Sequence, residues 1–396
     1  MQNLKYFYEN PPEVQKFIPR KKGVNSPKTI LFGCIGSGKS YILAEYILNF
    51  KKDEFLYINF ADLRYKFTHL NAEFDKIFEF LEKNSQIGAL FLDNLDEFSE
   101  NEILHLQNLL NLAFSNSPSN SPSNSSSNSS SNSPQSIVNL RSVVISTRKN
   151  SLNLQGFEKV KITPLCFEEF IAFDKRRTDI NAIISAFFLQ GGTPKNSFLL
   201  GSEIISSEQN TLKSSLNKNE IAVLKECCEF IAQPFSANKI YLSLKEQIRI
   251  SKDSIYGCVA KFEDENFINF VSKFGDEKAA KRLFLSNFNL KDALSFKKDF
   301  SKKFINAIFC EIANLGEPIF YTKDLDFYLP SRNLGVLAIP FSASEIVFLK
   351  FKKLILELKR LKITRLAVIS MANSGLLEIE GIKCEVVPFP QFALGL

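Results

Sequence analysis

The sequence predicts an α/β fold built on a parallel sheet. Three observations carry this. Up to residue 165, short apolar runs alternate with longer stretches whose apolar residues recur at helical spacing. The short runs are nearly continuous in apolar residues, as strands buried on both faces are. One of them, KTILFG, passes through a glycine-rich turn at residues 33–40 directly into a helical pattern.

The elements follow in order. KTILFG is a strand, KSYILAEYILNF a helix and EFLYINF a second strand. FDKIFEFLEKN, with apolar residues at i, i+3 and i+4, is a helix, and GALFLD is a third strand. ENEILHLQNLLNLAF is a helix, RSVVIST a fourth strand and VKITPL a fifth. The insert at residues 115–136, which reads SNSPSNSPSNSSSNSSSNSP from Ser115 to Pro134, has nothing apolar to bury. It is therefore expected to be disordered, in a surface loop between helix and strand. Residues 166–214 read as helical. Within residues 215–298, NEIAVLKECCEFIA, SANKIYLSLKEQI and ISKDSIYGCVAKFEDENF are helices, and FINFVSKFGDEKAAKRLFLSN is two strands around a charged tip. Three helices and a hairpin make a winged helix. Residues 299–396 carry the strands IFYTK, DFYLP, LGVLAIP, RLAVISM and KCEVVPF around the helix SEIVFLKFKKLILELKRLK, a second α/β unit.

Composition bounds the class. A chain of 396 residues exceeds one ordinary core, so several domains are expected. Hydrophobic content of 45% and charged content of 23% are those of a soluble globular protein. Seven cysteines without C-x-x-C spacing argue for a reducing compartment rather than a disulfide framework or a zinc site. No apolar run reaches the length of a membrane span, and the N-terminus lacks the apolar core of a signal peptide. The expectation is a cytoplasmic protein without a membrane partner. A net charge of +6 is too mild to imply nucleic acid by itself.

The segment GCIGSGKS, comprising Gly33, Cys34, Ile35, Gly36, Ser37, Gly38, Lys39 and Ser40, fits G-x-x-x-x-G-K-[ST], the Walker A pattern. Such a loop turns backbone N–H groups onto phosphate oxygens. Lys39 is expected to neutralise the β- and γ-phosphates of ATP, and Ser40 to hold Mg²⁺. ALFLDNLDEF ends an apolar strand in Asp93, which supplies the second magnesium acid, usually through water. Many such enzymes follow that acid with a Glu that orients the attacking water. Asn94 stands there, and Asp96 and Glu97 are the acids placed to reach back. The strand RSVVIST is expected beside the loop, with Ser146, Thr147 and Arg148 near the γ-phosphate. Arg148 either stabilises transition-state charge or is a solvated strand-end residue.

GCIGSGKS, ALFLDNLDEF, VVISTR, ITPLCFEEF and FFLQGGTP occur in this order. With them the chain resembles the AAA-type P-loop ATPases of bacteria and archaea that carry a C-terminal domain of unknown function. The resemblance spans about residues 28 to 375. It implies that a winged helix and a restriction-endonuclease-like fold follow the ATPase. In that family an Arg follows the Gly that precedes the L-x-P-L phrase, whereas Phe157 follows Gly156 here. Together with Asn94, this implies slow hydrolysis. The residues themselves read structurally. Leu165, Phe167 and Phe170 pack a helix onto the sheet while Glu168 and Glu169 face outward. Gly191, Gly192 and Pro194 end a helix.

The third helix of the winged-helix segment is expected to expose Lys252, Asp253, Tyr256 and Lys261, a face suited to a major groove. From Val271 to Ile305, nine Lys or Arg stand against four Asp or Glu, which favours phosphate contacts. The alternative is a module for intramolecular or protein contacts. A nuclease of this fold holds Mg²⁺ with an Asp at one strand end and E-x-K on the next strand. Asp326 fits the first position, but Ala338 and Pro340 stand where the Glu and Lys belong, and Glu345 falls in the next helix. The nuclease-like domain is therefore expected to be degenerate. The reading is a Mg-ATP-binding protein with slow hydrolysis that switches its C-terminal domains. Its expected partners are ATP or ADP, an unidentified protein and, as a candidate, DNA. The alternative is a non-hydrolysing, nucleotide-bound DNA-binding or regulatory protein.

Overall fold

The computed structural model describes residues 2–13, 18–64, 69–115, 138, 140–174 and 177–396. Packing divides the chain into two units. The first holds Met1–Gly33 and Gly38–Ile162, and the second holds Cys34–Ser37 and Thr163–Leu396.

The first unit begins with α1 (Gln2–Glu9), which the sequence reading did not identify; it buries Leu4 and Phe7, one helical turn apart. Then come β1 (Lys28–Phe32), α2 (Lys39–Ile47), β2 (Phe55–Asn59), α3 (Leu70–Lys83), β3 (Ala89–Asp93), α4 (Glu100–Ser115), β4 (Ser142–Thr147) and β5 (Glu158–Lys161). The five strands form one sheet in the order β2-β3-β4-β1-β5, and every pairing is parallel. Every residue of β3 and β4 is buried, which explains their lack of polar alternation. The two-residue period splits their side chains between two cores. Leu90, Leu92, Val143 and Ile145 meet Phe74, Ile77 and Leu81 of α3 and Leu106 and Leu110 of α4 on one face. Phe91 and Val144 meet Ile42, Leu43 and Ile47 of α2 on the other. Ser115, expected in the disordered insert, is the last residue of α4. The remainder of the Ser/Asn-rich insert lies outside the described residues.

The second unit opens with α5 (Phe167–Phe173), α6 (Ile180–Gln190) and α7 (Ser202–Ser215). Next are α8 (Lys218–Cys227), α9 (Ala237–Leu244), α10 (Lys252–Asp264), β6 (Ile268–Lys273), β7 (Arg282–Leu285), α11 (Leu290–Leu294) and α12 (Phe300–Ala313). It closes with β8 (Phe320–Tyr321), β9 (Phe327–Leu329), β10 (Leu334–Ala338), α13 (Ser344–Arg360), β11 (Arg365–Ser370), β12 (Gly375–Ile379), β13 (Ile382–Pro388) and α14 (Phe389–Leu394). The hairpin β6–β7 and the C-terminal strands form one sheet of eight, in the order β12-β13-β11-β10-β9-β8-β6-β7. The join is parallel pairing of Ser272 with Phe320 and Lys273 with Tyr321. The sequence boundaries at 214 and 298 both fall inside this packed unit.

Phenylalanine fills this interior. Phe187 meets Phe167, Phe170, Phe288 and Phe389 at ring-centroid distances of 5.3, 5.2, 5.0 and 5.8 Å. The helix at Phe167 corrects one expectation: Glu168 is exposed, but Glu169 is buried. Its carboxylate accepts the Cys166 N–H at 3.2 Å, as a capping box requires.

Candidate functional site

The C-terminal ends of β1, β3 and β4 gather the polar residues of the first unit. β1 passes from Phe32 into Gly33, which no other residue could replace without movement. A Cβ there would lie 2.0 Å from the Ile162 carbonyl oxygen, with φ at +153°. Gly38 then caps α2, whose first residues are Lys39 and Ser40. Lys39 is buried, and its Nζ donates to the Gly33 carbonyl at 2.9 Å. Cys34–Ser37 group with the second unit; Cys34 and Ser37 are buried there and Gly36 is exposed.

Asp93 ends β3 and is 1% exposed. The Ser40 hydroxyl donates to its Oδ1 at 3.0 Å, and the Ser146 hydroxyl donates to the same oxygen. The Tyr57 hydroxyl donates to Oδ2 at 2.7 Å. Burial, and behind it the neighbouring Asp93 carboxylate, pushes the Tyr57 phenol far above its ordinary value, so it stays a protonated donor. Tyr57 and Ser146 converge because β2, β3 and β4 are adjacent parallel strands, with Asn59 opposite Asp93 and Leu92 opposite Ile145, while Ser40 arrives from the first turn of α2. Ser146 was named from the sequence. Tyr57 and Asn59 were not, and their only sequence signal is a place near the end of an apolar strand.

The remaining expected residues are placed differently. Asn94 is half-buried, in the left-handed region with φ at 57°. Its N–H donates to Ser146 Oγ at 3.0 Å, and its amide Nδ2 donates to Asn59 Oδ1 at 2.9 Å. Asp96 is engaged at the end of β4, where it accepts the Thr147 hydroxyl at 3.3 Å. It accepts the Arg148 N–H at 2.6 Å and Arg148 Nε at 2.7 Å. Arg148 is therefore bound by Asp96, not a solvated strand end, and the two residues brace the tips of the chain after β3 and β4. Glu97 is exposed.

The arrangement joins a glycine turn at a helix start, a buried lysine, and a carboxylate tied to the hydroxyl that follows the lysine. Chemically it suits an anionic oxygen cluster with a hard cation. Ser40 spends its hydrogen on Asp93, so its oxygen lone pairs remain available to a cation.

The face expected to touch nucleic acid is altered. Lys252, Asp253 and Tyr256 are exposed on α10, whereas Lys261 is half-buried and its Nζ lies 2.7 Å from Glu220 Oε1. Much of the positive charge from Val271 to Ile305 is used internally. Lys303 pairs with Asp292 at 2.5 Å, Lys291 is buried and Lys302 donates to the Glu229 carbonyl at 2.7 Å. Arg282 lies over the Tyr321 ring at 4.2 Å and 3.8 Å from Asp326. Asp326 Oδ2 accepts the Ala338 N–H at 2.8 Å. Burial raises its carboxyl above the usual range, while that bond and Arg282 partly offset the effect.

No family model matches the chain. An uncharacterized protein of Methanocaldococcus jannaschii is 26% identical over 425 residues, covering 96% of this chain and 89% of that one. Among solved structures, the Aeropyrum pernix ORC1 protein in complex with DNA is similar at 13% identity and a TM-score of 0.34, over 68% of this chain and 86% of that one. A likeness of that degree bears on neither fold nor function. No described helix is long and apolar enough to cross a membrane.

Proposed function

We propose that the chain binds Mg-ATP at GCIGSGKS and hydrolyses it slowly. The observation that supports this best is the hydrogen bond between Ser40 and Asp93, residues 53 apart, beside a lysine folded over its own glycine loop. Backbone N–H groups of the loop from Gly33 to Gly38, including Cys34, Ile35, Gly36 and Ser37, would hold the phosphates. Lys39 would exchange the Gly33 carbonyl for phosphate oxygens. Ser40 and Asp93 would hold magnesium, which neutralises charge on the β- and γ-phosphates when bound.

Slow hydrolysis follows from the groups beside Asp93. Asn94 is a poor proton acceptor, and Asp96 is committed to Arg148. The C-terminal part is proposed to be a winged helix, α8 to β7, followed by a degenerate nuclease-like domain. In this reading nucleotide state switches these domains, with duplex DNA as candidate partner. Magnesium-dependent DNA cleavage is not expected, because Ala338 and Pro340 stand where a Glu and a Lys would have to join Asp326.

ATP turnover measured with and without duplex DNA over a salt series tests the reading. Measurable turnover that Lys39→Ala abolishes supports it; ATP binding without turnover supports the regulatory alternative. If DNA is bound through α10, Lys252→Ala should flatten the salt slope by about one phosphate contact. Lys261→Ala should leave the slope unchanged, because Glu220 holds that ammonium. An unaltered slope in Lys252→Ala assigns this helix to protein contacts.

A further inference from the structure

We propose that Tyr57 is a positioning residue for Asp93 and sets how tightly magnesium is taken up with the nucleotide, an inference that rests on the nucleotide reading above. An ionised carboxylate offers about four lone-pair sites. Oδ1 receives the hydroxyls of Ser40 and Ser146, and Oδ2 receives the Tyr57 hydroxyl. Three sites are thus filled by neutral donors from three elements, and about one remains for a metal-bound water.

The donors have different tasks. Ser146 sits on β4 and fixes Oδ1 from the side of the sheet. Ser40 presents its lone pairs outward only while Oδ1 stays where it is. Tyr57 is the sole described donor to Oδ2, and it comes from β2, on the opposite side of β3 from β4. Without it, only the two hydroxyls on Oδ1 oppose rotation of the carboxylate about its last bond, and the Ser40 hydroxyl moves with Oδ1. A hydrogen-bond partner of this kind behind a metal ligand typically changes metal affinity by about 10- to 100-fold. Tyr57 touches neither phosphate nor metal in this scheme; it acts through Asp93.

The experiment compares wild type, Tyr57→Phe and Ser146→Ala by magnesium titration at fixed ATP, reading binding of a fluorescent ATP analogue. ADP affinity is measured in parallel with magnesium chelated. Tyr57→Phe should raise the half-saturating magnesium concentration about 10-fold, while magnesium-free ADP affinity stays within about 2-fold. Ser146→Ala should shift in the same direction. A magnesium midpoint within about 2-fold of wild type in Tyr57→Phe overturns the proposal. So does an equal loss of magnesium-free ADP binding, which would make Tyr57 a support of the loop as a whole. The second measurement needs no ligand. Melting temperatures of Tyr57→Phe, Asp93→Asn and the double variant should be non-additive, and additivity overturns the coupling. Wild type that binds no nucleotide, or binds no better than Lys39→Ala, overturns the nucleotide reading together with this one. Normal wild-type binding with an unchanged Tyr57→Phe overturns this one alone.

Discussion

Gly33→Ala is expected to lower the melting temperature of the protein by roughly 6–12 °C, at about 2–4 °C per kcal/mol. The magnitude comes from two terms. A Cβ at residue 33 would lie 2.0 Å from the Ile162 oxygen, and an acceptable C···O separation is about 3.4 Å. The chain after β5 must therefore move by more than an ångström at the point where the Ile162 N–H donates to the Phe32 carbonyl at 2.7 Å. Losing that bond costs about 1 kcal/mol. Holding alanine at φ +153° costs roughly 1–3 kcal/mol more. The sum is about 3 kcal/mol. Two glycines separate the terms. Gly156 has φ at +81° and nothing within 4 Å of an added Cβ, so Gly156→Ala carries the backbone term alone, about 1–2 kcal/mol. Gly23 has neither strain nor contact, so Gly23→Ala should stay within about 1 kcal/mol of wild type. The assay is far-ultraviolet circular dichroism on heating, with nucleotide binding measured on the same samples. The expected order of destabilisation is Gly33, then Gly156, then Gly23. Gly33→Ala melting no lower than Gly156→Ala would show that the end of β5 yields freely, and the close-approach argument would fail.

Lys39→Ala should weaken ATP binding about 100-fold, as loss of two charge-assisted contacts would, while the circular dichroism spectrum is retained. Near-wild-type binding would remove Lys39 from the phosphate site. Asn94→Glu should speed ATP hydrolysis about 100-fold under saturating Mg-ATP, since a carboxylate then stands beside Asp93. A neutral result means that another group orients the water. Lys303 supplies a pH test. Burial lowers its ammonium below the ordinary 10.5, with Asp292 partly offsetting this. The folded state thus binds this proton less tightly than the unfolded state, so stability rises as pH climbs from the lowered value toward 10.5. Lys303→Met should therefore raise the melting temperature at pH 7, and the advantage should shrink as pH approaches 10.5. An advantage that does not vary with pH would assign the effect to packing.

What was legible in the sequence was local. GCIGSGKS is contiguous, and Asp93 follows directly on an apolar strand, so both are visible to a reader who knows only spacing. The parallel character of the first sheet was visible too, because β3 and β4 are buried on both faces and lack polar alternation. Helix α12 was missed because its burial follows no single stripe: Phe304, Ile308 and Ile312 are buried on one side, and Lys303, Asn306 and Phe309 on the others. Only the tertiary structure decided which polar groups meet. Tyr57 and Asp93 are 36 residues apart, Asn59 and Asn94 are 35 apart, and Lys261 and Glu220 are 41 apart. Arg148 stays open between stabilising transition-state charge and a solvated strand end, and Glu169 reads as a surface residue, until Asp96 and the capped start of α5 are seen to hold them. Hydrophobic periodicity records which face of an element is buried. The order in which strands lie side by side, and hence which strand tips share a carboxylate, is set by the packing of the whole sheet.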